Sequence, residues 1–287
     1  MPRLAGRLPP AERVRARLRQ VAGDTVAATM PRGYQRLGRV LLLRLPPALL
    51  PYGSVLADAW QRELGVETVL AHRGPIEGEL RRPRLLRLVG STSETEVVEH
   101  GSRWRLDAEQ VMFAAGNRTE RFRFARSVRA GEHVADLFAG IGYFTIPAAR
   151  AQPGARFVAV EKNPAAYGYL EQNVRLNRVS AQVRAELGDN RTVALPLRAF
   201  DRVLLGYLPS SLPWVPRALE LLRPPTGELH VHLVADARDA RQRGEAAVAA
   251  ALDRAGARLA APLRGREVKP YGPGRTHVVV DASVRPD

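Results

Sequence analysis

The chain has 287 residues, of which 45% are hydrophobic and 25% are charged, a balance that is typical of folded globular proteins and excludes extensive disorder. It contains no cysteine, which excludes disulfide bonds, thiolate metal sites and thiol nucleophiles. The longest apolar run, at residues 40–50, is interrupted by Arg44 and two prolines, so we predict no membrane-spanning helix. Because the first residues also lack the apolar core of a signal peptide, we expect a cytoplasmic protein.

The charge is strongly positive, with 44 basic against 29 acidic residues and a net charge of +15. Lysine occurs only at Lys162 and Lys269, so nearly all of the basic residues are arginines. An excess of this size favours a polyanionic partner, because each neutralised phosphate releases counterions. We therefore expect nucleic acid as the partner, with a merely basic surface or an anionic membrane as the alternatives.

Residues 1–33 are rich in arginine, and within them residues 11–22 place Val14, Leu18 and Val21 on one helical stripe. This pattern predicts a basic amphipathic helix on an N-terminal arm, the alternative being a surface helix packed on the body. Residues 34–109 mix a helical pattern with short runs typical of strands and predict a small α+β module. The predicted strands are at 39–45, 67–70, 85–88 and 94–99, and the helix is at 54–64.

From residue 110 to 287, strand and helix patterns alternate, which predicts an α/β domain with a parallel, Rossmann-like sheet. The predicted strands are at 133–137, 156–160, 182–187, 201–205, 228–233, 258–268 and 276–281. The predicted helices are at 143–150, 164–177 and 236–255.

The sharpest motif is Asp-Leu-Phe-Ala-Gly-Ile-Gly-Tyr-Phe-Thr at residues 136–145, where a predicted strand meets a helix. Gly140 and Gly142 allow a tight turn and a close approach of the backbone to a ligand. Glu161 follows the next strand, where it is placed to bind ribose hydroxyls, and Asp189 and Asn190 follow the third. The carboxyl ends of strands in open α/β sheets bind nucleotides, so we predict a nucleotide-like cofactor here.

Three cofactors compete for such a site. The chain has no Gly-Lys dipeptide, which excludes a phosphate-binding P-loop. A dinucleotide motif would have a third glycine where Thr145 stands, and the acid Asp136 before the glycines would repel a pyrophosphate. An acid at this position suits a cationic ligand, which favours S-adenosylmethionine.

Taken together, several segments resemble one family in order and spacing, the tRNA guanine-37 N1-methyltransferases and their relatives, the wybutosine-synthesising aminocarboxypropyltransferases. The resemblance covers residues 34–283 and rests on the segments 111–121, 136–145, 161–164, 188–191, 201–207 and 268–273. It implies a class I S-adenosylmethionine-dependent transferase domain with a small N-terminal module, acting on tRNA in its anticodon region.

A short segment after the fourth strand distinguishes the two activities of the family. The N1-methyltransferases typically carry Asn-Leu-Pro after the fourth strand, whereas this chain has Gly206 and Tyr207. It resembles the branch that transfers the 3-amino-3-carboxypropyl group to a modified guanine and releases methylthioadenosine. The alternatives are N1-methylation of tRNA guanine, transfer to another RNA base or a small molecule, and a non-enzymatic RNA-binding module.

The resemblance also implies roles for individual residues. Ala114, through its backbone, and Arg121 match positions that contact the cofactor, and we expect Arg121 to bind the methionine carboxylate as a catalytic residue. Tyr207 is the second predicted catalytic residue, placed to stack on the acceptor base. The predicted cofactor-binding residues are Ala114, Arg121, Asp136, Gly140, Glu161, Asp189, Asn190 and Gly206. We predict no metal site, because His230 and His232 have no third ligand apparent in the sequence.

Overall fold

A computed structural model describes residues 8–74 and 78–286 and divides the chain into two compact units. In the described part of the chain, the smaller unit holds the residues up to Val98 together with Trp104–Phe113. The larger unit holds Glu99–Arg103 and the residues from Ala114 onward. No helix in these described ranges is both long enough and apolar enough to cross a membrane.

The small unit packs two helices on a four-stranded sheet of order β1-β2-β3-β4, in which β2 and β3 run parallel. Its helices are α1 (Pro10–Ala28) and α2 (Gly53–Leu64). Its sheet strands are β1 (Tyr34–Leu37), β2 (Val40–Leu43), β3 (Thr68–His72) and β4 (Leu85–Val89). A two-stranded sheet follows, made of β5 (Glu94–Glu99) and β6 (Ser102–Asp107).

Helix α1 differs from the predicted N-terminal arm. Val14 and Leu18 are fully buried in the same core cluster as Leu41 and Trp60, so the helix belongs to the small unit rather than to a separate segment. It is also longer than the predicted helix, with a kink at Gly23. Burial of an apolar stripe is what fixes such a helix to its neighbours. Residues 1–7 of the predicted arm lie outside the described residues.

The large unit is built on an eight-stranded sheet of order β12-β14-β11-β10-β7-β8-β9, with β13 paired to β14. Its strands are β7 (His133–Asp136), β8 (Arg156–Glu161), β9 (Val183–Leu187), β10 (Arg202–Leu205), β11 (Gly227–Asp236), β12 (Arg258–Leu259), β13 (Arg264–Gly272) and β14 (Arg275–Arg285). Its helices are α3 (Arg118–Ser127), α4 (Thr145–Ala151), α5 (Pro164–Leu176), α6 (Val215–Leu221) and α7 (Ala240–Arg254).

The five strands from β11 to β9 are parallel, which confirms the predicted Rossmann-like α/β fold. The carboxyl ends of β10, β7, β8 and β9 are therefore neighbours along one edge of the sheet. Residues that follow these four strands in sequence are brought together at that edge, although long helical segments separate them along the chain.

Helices α4 and α7 begin later than predicted, and the short helix α6 was not predicted. Helix α4 begins at Thr145 rather than at residue 143, because Gly142 has a φ of +94°, outside the helical region. Helix α7 begins at Ala240, after Asp239 adopts a left-handed conformation. Helix α3 was not predicted at all. By contrast, the predicted cap of α5 is confirmed, since the Asn163 side chain accepts a hydrogen bond from the Ala165 N–H at 3.0 Å.

Candidate active site

The loop after β7 requires glycine at two positions. Gly140 has a φ of +57°, and a Cβ placed there would lie 2.6 Å from the Tyr143 ring. Gly142 has a φ of +94°, and its Cβ would collide with the Ile146 side chain. Both the backbone conformation and the space exclude larger side chains. The loop therefore holds its tight turn by the mechanism that the motif predicts.

Asp136, the last residue of β7, is buried beneath this loop. Its carboxylate accepts hydrogen bonds from the Thr145 hydroxyl at 2.8 Å and from the Phe138 N–H at 3.2 Å. Burial raises the pKa of Asp136 to about 6, and the nearby negative charge of Glu161 adds to the effect. The carboxylate thus holds the turn together, while its negative charge lies where a cationic ligand would stabilise it.

Glu161, the last residue of β8, ties two neighbouring segments together. One carboxylate oxygen accepts the Gly140 N–H at 2.8 Å, and the other accepts the Asn163 N–H at 2.7 Å. Burial raises the pKa of Glu161 despite these hydrogen bonds. Each carboxylate oxygen can accept more than one hydrogen bond, so the side chain is able to position the loop and bind a pair of ribose hydroxyls at once.

Asn190 follows β9 and is buried against the end of β7. Its side-chain amide donates to the Leu137 carbonyl at 2.7 Å. Its carbonyl oxygen Oδ1 is buried and has no hydrogen-bond partner among the described residues. A buried acceptor without a donor is unfavourable, and the exocyclic amine of an adenine would satisfy it.

Asp189 is engaged by two cations. Its carboxylate accepts from Lys162 Nζ at 2.9 Å and from Arg191 Nε at 2.9 Å. The hydrogen bond from Arg191 is the largest cause that lowers the pKa of Asp189 well below its usual range. The side chain is therefore ionised and held in place, next to the Asn190 acceptor.

Three aromatic rings meet where β7 and β10 end. The Tyr207 ring lies 5.3 Å from the Phe138 ring and 5.4 Å from the Trp214 ring, and Phe138 lies 5.1 Å from Trp214. All three side chains are half-buried. Ser211 fixes the backbone of this turn, since its hydroxyl accepts the Tyr207 N–H at 3.0 Å. The rings offer an apolar, partly exposed platform at the edge of the sheet.

At Gly206, a Cβ would approach Phe138 no closer than 3.9 Å. That distance is an ordinary contact, so the neighbouring protein atoms do not require a glycine at this position. A ligand that lies against the backbone would explain the glycine, because a side chain at this position would occupy the ligand's space.

Arg121 lies on the buried side of α3. Its guanidinium donates to Glu99 Oε2 at 2.6 Å and to the Ala114 carbonyl. It also lies 5.0 Å from the centre of the Tyr143 ring, the same ring that closes over Gly140. Arg121, Glu99 and the Ala114 carbonyl thus form one cluster, which the Tyr143 ring connects to the glycine loop.

The histidines form a separate, buried network. His230 Nδ1 lies 2.5 Å from Asp281, and His232 Nδ1 lies 2.9 Å from Nε2 of His277. The described residues contain no group of side chains arranged to hold a metal ion. His230 and His232 thus contact other buried side chains, as residues with a structural role do.

Four residues of the site were missed from the sequence. Tyr143 lies inside the glycine motif, and its aromatic side chain was a usable signal. Phe138 lies in the same motif and offered the same signal. Glu99 and Trp214 gave none, because their contribution depends on which distant segments the fold brings together. Glu99 in particular is 22 positions away from its partner Arg121.

The structure brings a glycine loop, the buried acid Glu161 and the buried Asn190 acceptor to the carboxyl edge of a parallel sheet, the arrangement with which Rossmann-like domains bind nucleotide-type cofactors. Residues 95–251 match the family model described as the TRM5/TYW2 methyltransferase domain. Residues 14–93 match the model of the TYW2 N-terminal domain. The chain belongs to the TRM5/TYW2 family.

Individual relatives agree with this assignment. The chain is 34% identical over 253 residues to the tRNA(Phe) (4-demethylwyosine(37)-C(7)) aminocarboxypropyltransferase of Methanocaldococcus jannaschii, covering 87% of this chain and 96% of the relative. The structure of P. horikoshii TYW2 in complex with MeSAdo superposes with a TM-score of 0.81 at 29% identity, covering 96% of this chain and all of that one. The structure of M. jannaschii TYW2 in complex with AdoMet gives 0.71 at 30% identity, with 89% and 100% covered.

Proposed function

We propose that this protein transfers the 3-amino-3-carboxypropyl group of S-adenosylmethionine to a modified guanine of tRNA and releases methylthioadenosine. The observation that carries the proposal is the near-complete coverage of an aminocarboxypropyltransferase at 34% identity. Solved relatives bind AdoMet and MeSAdo, which are the donor and the by-product of that reaction. The net charge of +15 suits a polyanionic RNA substrate.

The residues of the site fit the cofactor. The unpartnered Oδ1 of Asn190 would accept the adenine amine, and Glu161 would accept the ribose hydroxyls. Gly206 leaves room for the ligand against the backbone, whereas the Tyr143 ring fills that space at Gly140. Asp189 would border the adenine. Asp136 would stabilise the positive charge of the donor from beneath the loop, because its negative charge is buried and weakly screened.

The amino-acid end of the donor carries both a carboxylate and an ammonium. We assign Arg121 to the carboxylate, and the Ala114 carbonyl and Glu99 to the ammonium, since these groups form one hydrogen-bonded cluster. Anchoring this end would turn the aminocarboxypropyl carbon, rather than the methyl, toward the acceptor. When bound, S-adenosylmethionine would supply a carbon activated by its bond to a sulfonium, the electron pair of that bond leaving with the sulfur in methylthioadenosine and the acceptor carbon of the base losing its proton to water.

Tyr207 is assigned to the acceptor base. Its ring is held by Phe138 and Trp214, so it offers a fixed, half-buried face on which a large flat base would stack. The relative's name places its reaction at position 37 of tRNA, beside the anticodon. We propose the anticodon region as the docking site here as well, and the cytoplasm as the place of action.

Analysis of the by-product tests this function. Purified protein is incubated with S-adenosylmethionine and tRNA that carries the precursor base, and the nucleoside products are separated. Methylthioadenosine is the expected product. S-Adenosylhomocysteine instead would identify a methyltransferase, and release of neither product with tRNA would contradict an RNA acceptor.

A further inference from the structure

One face of α3 combines arginines with an exposed aromatic ring. Arg118, Phe122 and Arg126 are spaced by four residues and are all exposed, so they lie along one side of the helix. The Phe122 side chain is 44% exposed, whereas Phe124 on the opposite side is buried. The exposed part of the Phe122 ring is therefore a flat apolar surface that a ligand can reach.

The surroundings of this ring are cationic and aromatic. The His100 ring stacks on Phe122 with centroids 5.1 Å apart and planes inclined by 29°. The Arg126 guanidinium lies 5.6 Å from the ring centre. We call His100, Arg118, Phe122 and Arg126 the Phe122 face.

The acid nearest to this face is already engaged. Glu99 is buried and pairs with Arg121 at 2.6 Å, and its distance to Arg118 is 3.9 Å. Its charge is therefore shared between two arginines, while Arg126 stands over the exposed ring. The Phe122 face presents net positive charge to the solvent around a flat apolar group.

We propose that the Phe122 face binds an unpaired segment of the substrate RNA, with a base stacked on Phe122 and phosphates contacted by Arg118 and Arg126. The inference rests on the proposed function, which supplies RNA as the substrate. Aromatic rings flanked by arginines are the means by which proteins hold single-stranded nucleic acid.

The position of the face agrees with this role. Phe122 is the immediate neighbour of Arg121, so a single helix carries the RNA-binding ring on its exposed side and the site cluster on its buried side. RNA held at Phe122 would approach the site from the adjacent surface of the same helix, whose full diameter is only about 10 to 12 Å.

Binding of tRNA by the full-length protein tests the proposal, with fluorescence anisotropy measured at several salt concentrations. Phe122→Ala should weaken tRNA binding by about tenfold, the loss expected for one stacked base. Arg118→Gln combined with Arg126→Gln should lower the slope of log affinity against log salt by about 1.4, for two single-stranded phosphate contacts. Phe122→Tyr should restore binding.

Leu259→Ala is the matched control, because Leu259 is exposed to a similar extent, 43%, in the same unit. It should bind tRNA like the wild type, and the affinity for S-adenosylmethionine should stay unchanged in Leu259→Ala, Phe122→Ala and Phe122→Tyr. If Phe122→Ala and the double arginine variant both bind tRNA like the wild type, the Phe122 face does not bind RNA, while the proposed function stands. If the wild type itself fails to bind tRNA, both are refuted.

Discussion

Helix α1 of the small unit and helix α3 of the large unit each contain four arginines, but they bury different side chains. Helix α1 buries Val14 and Leu18 and keeps most of its arginines at or near the surface. Helix α3 buries Glu120 and Arg121 along with Phe124, and it exposes Phe122. The same number of arginines thus accompanies apolar packing in one helix, and in the other it accompanies charged contacts inside and an aromatic face outside.

The difference matters because burying a charge is unfavourable unless it is paired. In α3 the pairing is extensive, since Arg123 contacts Glu120 at 2.6 Å and Asp281 at 2.7 Å. Asp281 also lies against His230, and these contacts lower its pKa although burial alone would raise it. A helix held by such a network has a fixed position, which is what a helix that carries site residues requires.

The largest expected effect is on stability when this network is broken. Arg123→Gln should reduce the free energy of unfolding by about 3 kcal/mol, because it removes the arginine shared by the buried Glu120 and Asp281 carboxylates and leaves both of them against His230. The matched change in α1, Arg13→Gln, removes an ion pair with Glu63 and a hydrogen bond to the Leu8 carbonyl, both near the surface, and should cost about 1 kcal/mol or less. Urea unfolding of both variants measures the two losses. Equal losses of stability would contradict the claim that α3 depends on buried charge pairs and α1 does not.

A second measurement examines the packing of α1. Leu18→Ala should cost about 2 to 5 kcal/mol, because Leu18 is fully buried in the core of the small unit. Val21→Ala in the same helix, at a residue that is 61% exposed, should change stability by less than about 0.5 kcal/mol. If Leu18→Ala proved as neutral as its control, α1 would be the detached arm after all.

A third measurement uses pH to detect the buried charge of the site. The pKa of Asp136 is raised to about 6 in the folded state, so between pH 4 and pH 6 the folded state binds more protons than the unfolded state. The unfolding free energy of the wild type, measured relative to Asp136→Asn, should therefore fall by up to about 3 kcal/mol as the pH rises through this range. A difference between the two proteins that does not change with pH would contradict the burial of the charge.

The features of the fold that could be predicted from the sequence are those that depend on residues close together in the chain. The glycine loop and the Asn163 cap depend on contacts between residues close in the chain, and the alternation of strands and helices predicts the parallel sheet. Helix α3 could not be predicted this way, because its buried side is charged and its apolar pattern is weak. The pairing of Arg121 with Glu99 exists only once the tip of the β5–β6 hairpin lies against α3.

The central claim is that the buried side of α3 serves the reaction and its exposed side binds RNA. The most direct test compares the adjacent residues Arg121 and Phe122. Single-turnover rates are measured with S-adenosylmethionine and tRNA both saturating, in the wild type, Arg121→Ala and Phe122→Ala. Loss of Arg121 should slow transfer about 100-fold, because a misaligned carbon stays misaligned however much substrate is bound. Phe122→Ala should react at the wild-type rate once enough tRNA is supplied. Equal slowing of both variants at saturation would contradict separate roles for the two faces of the helix.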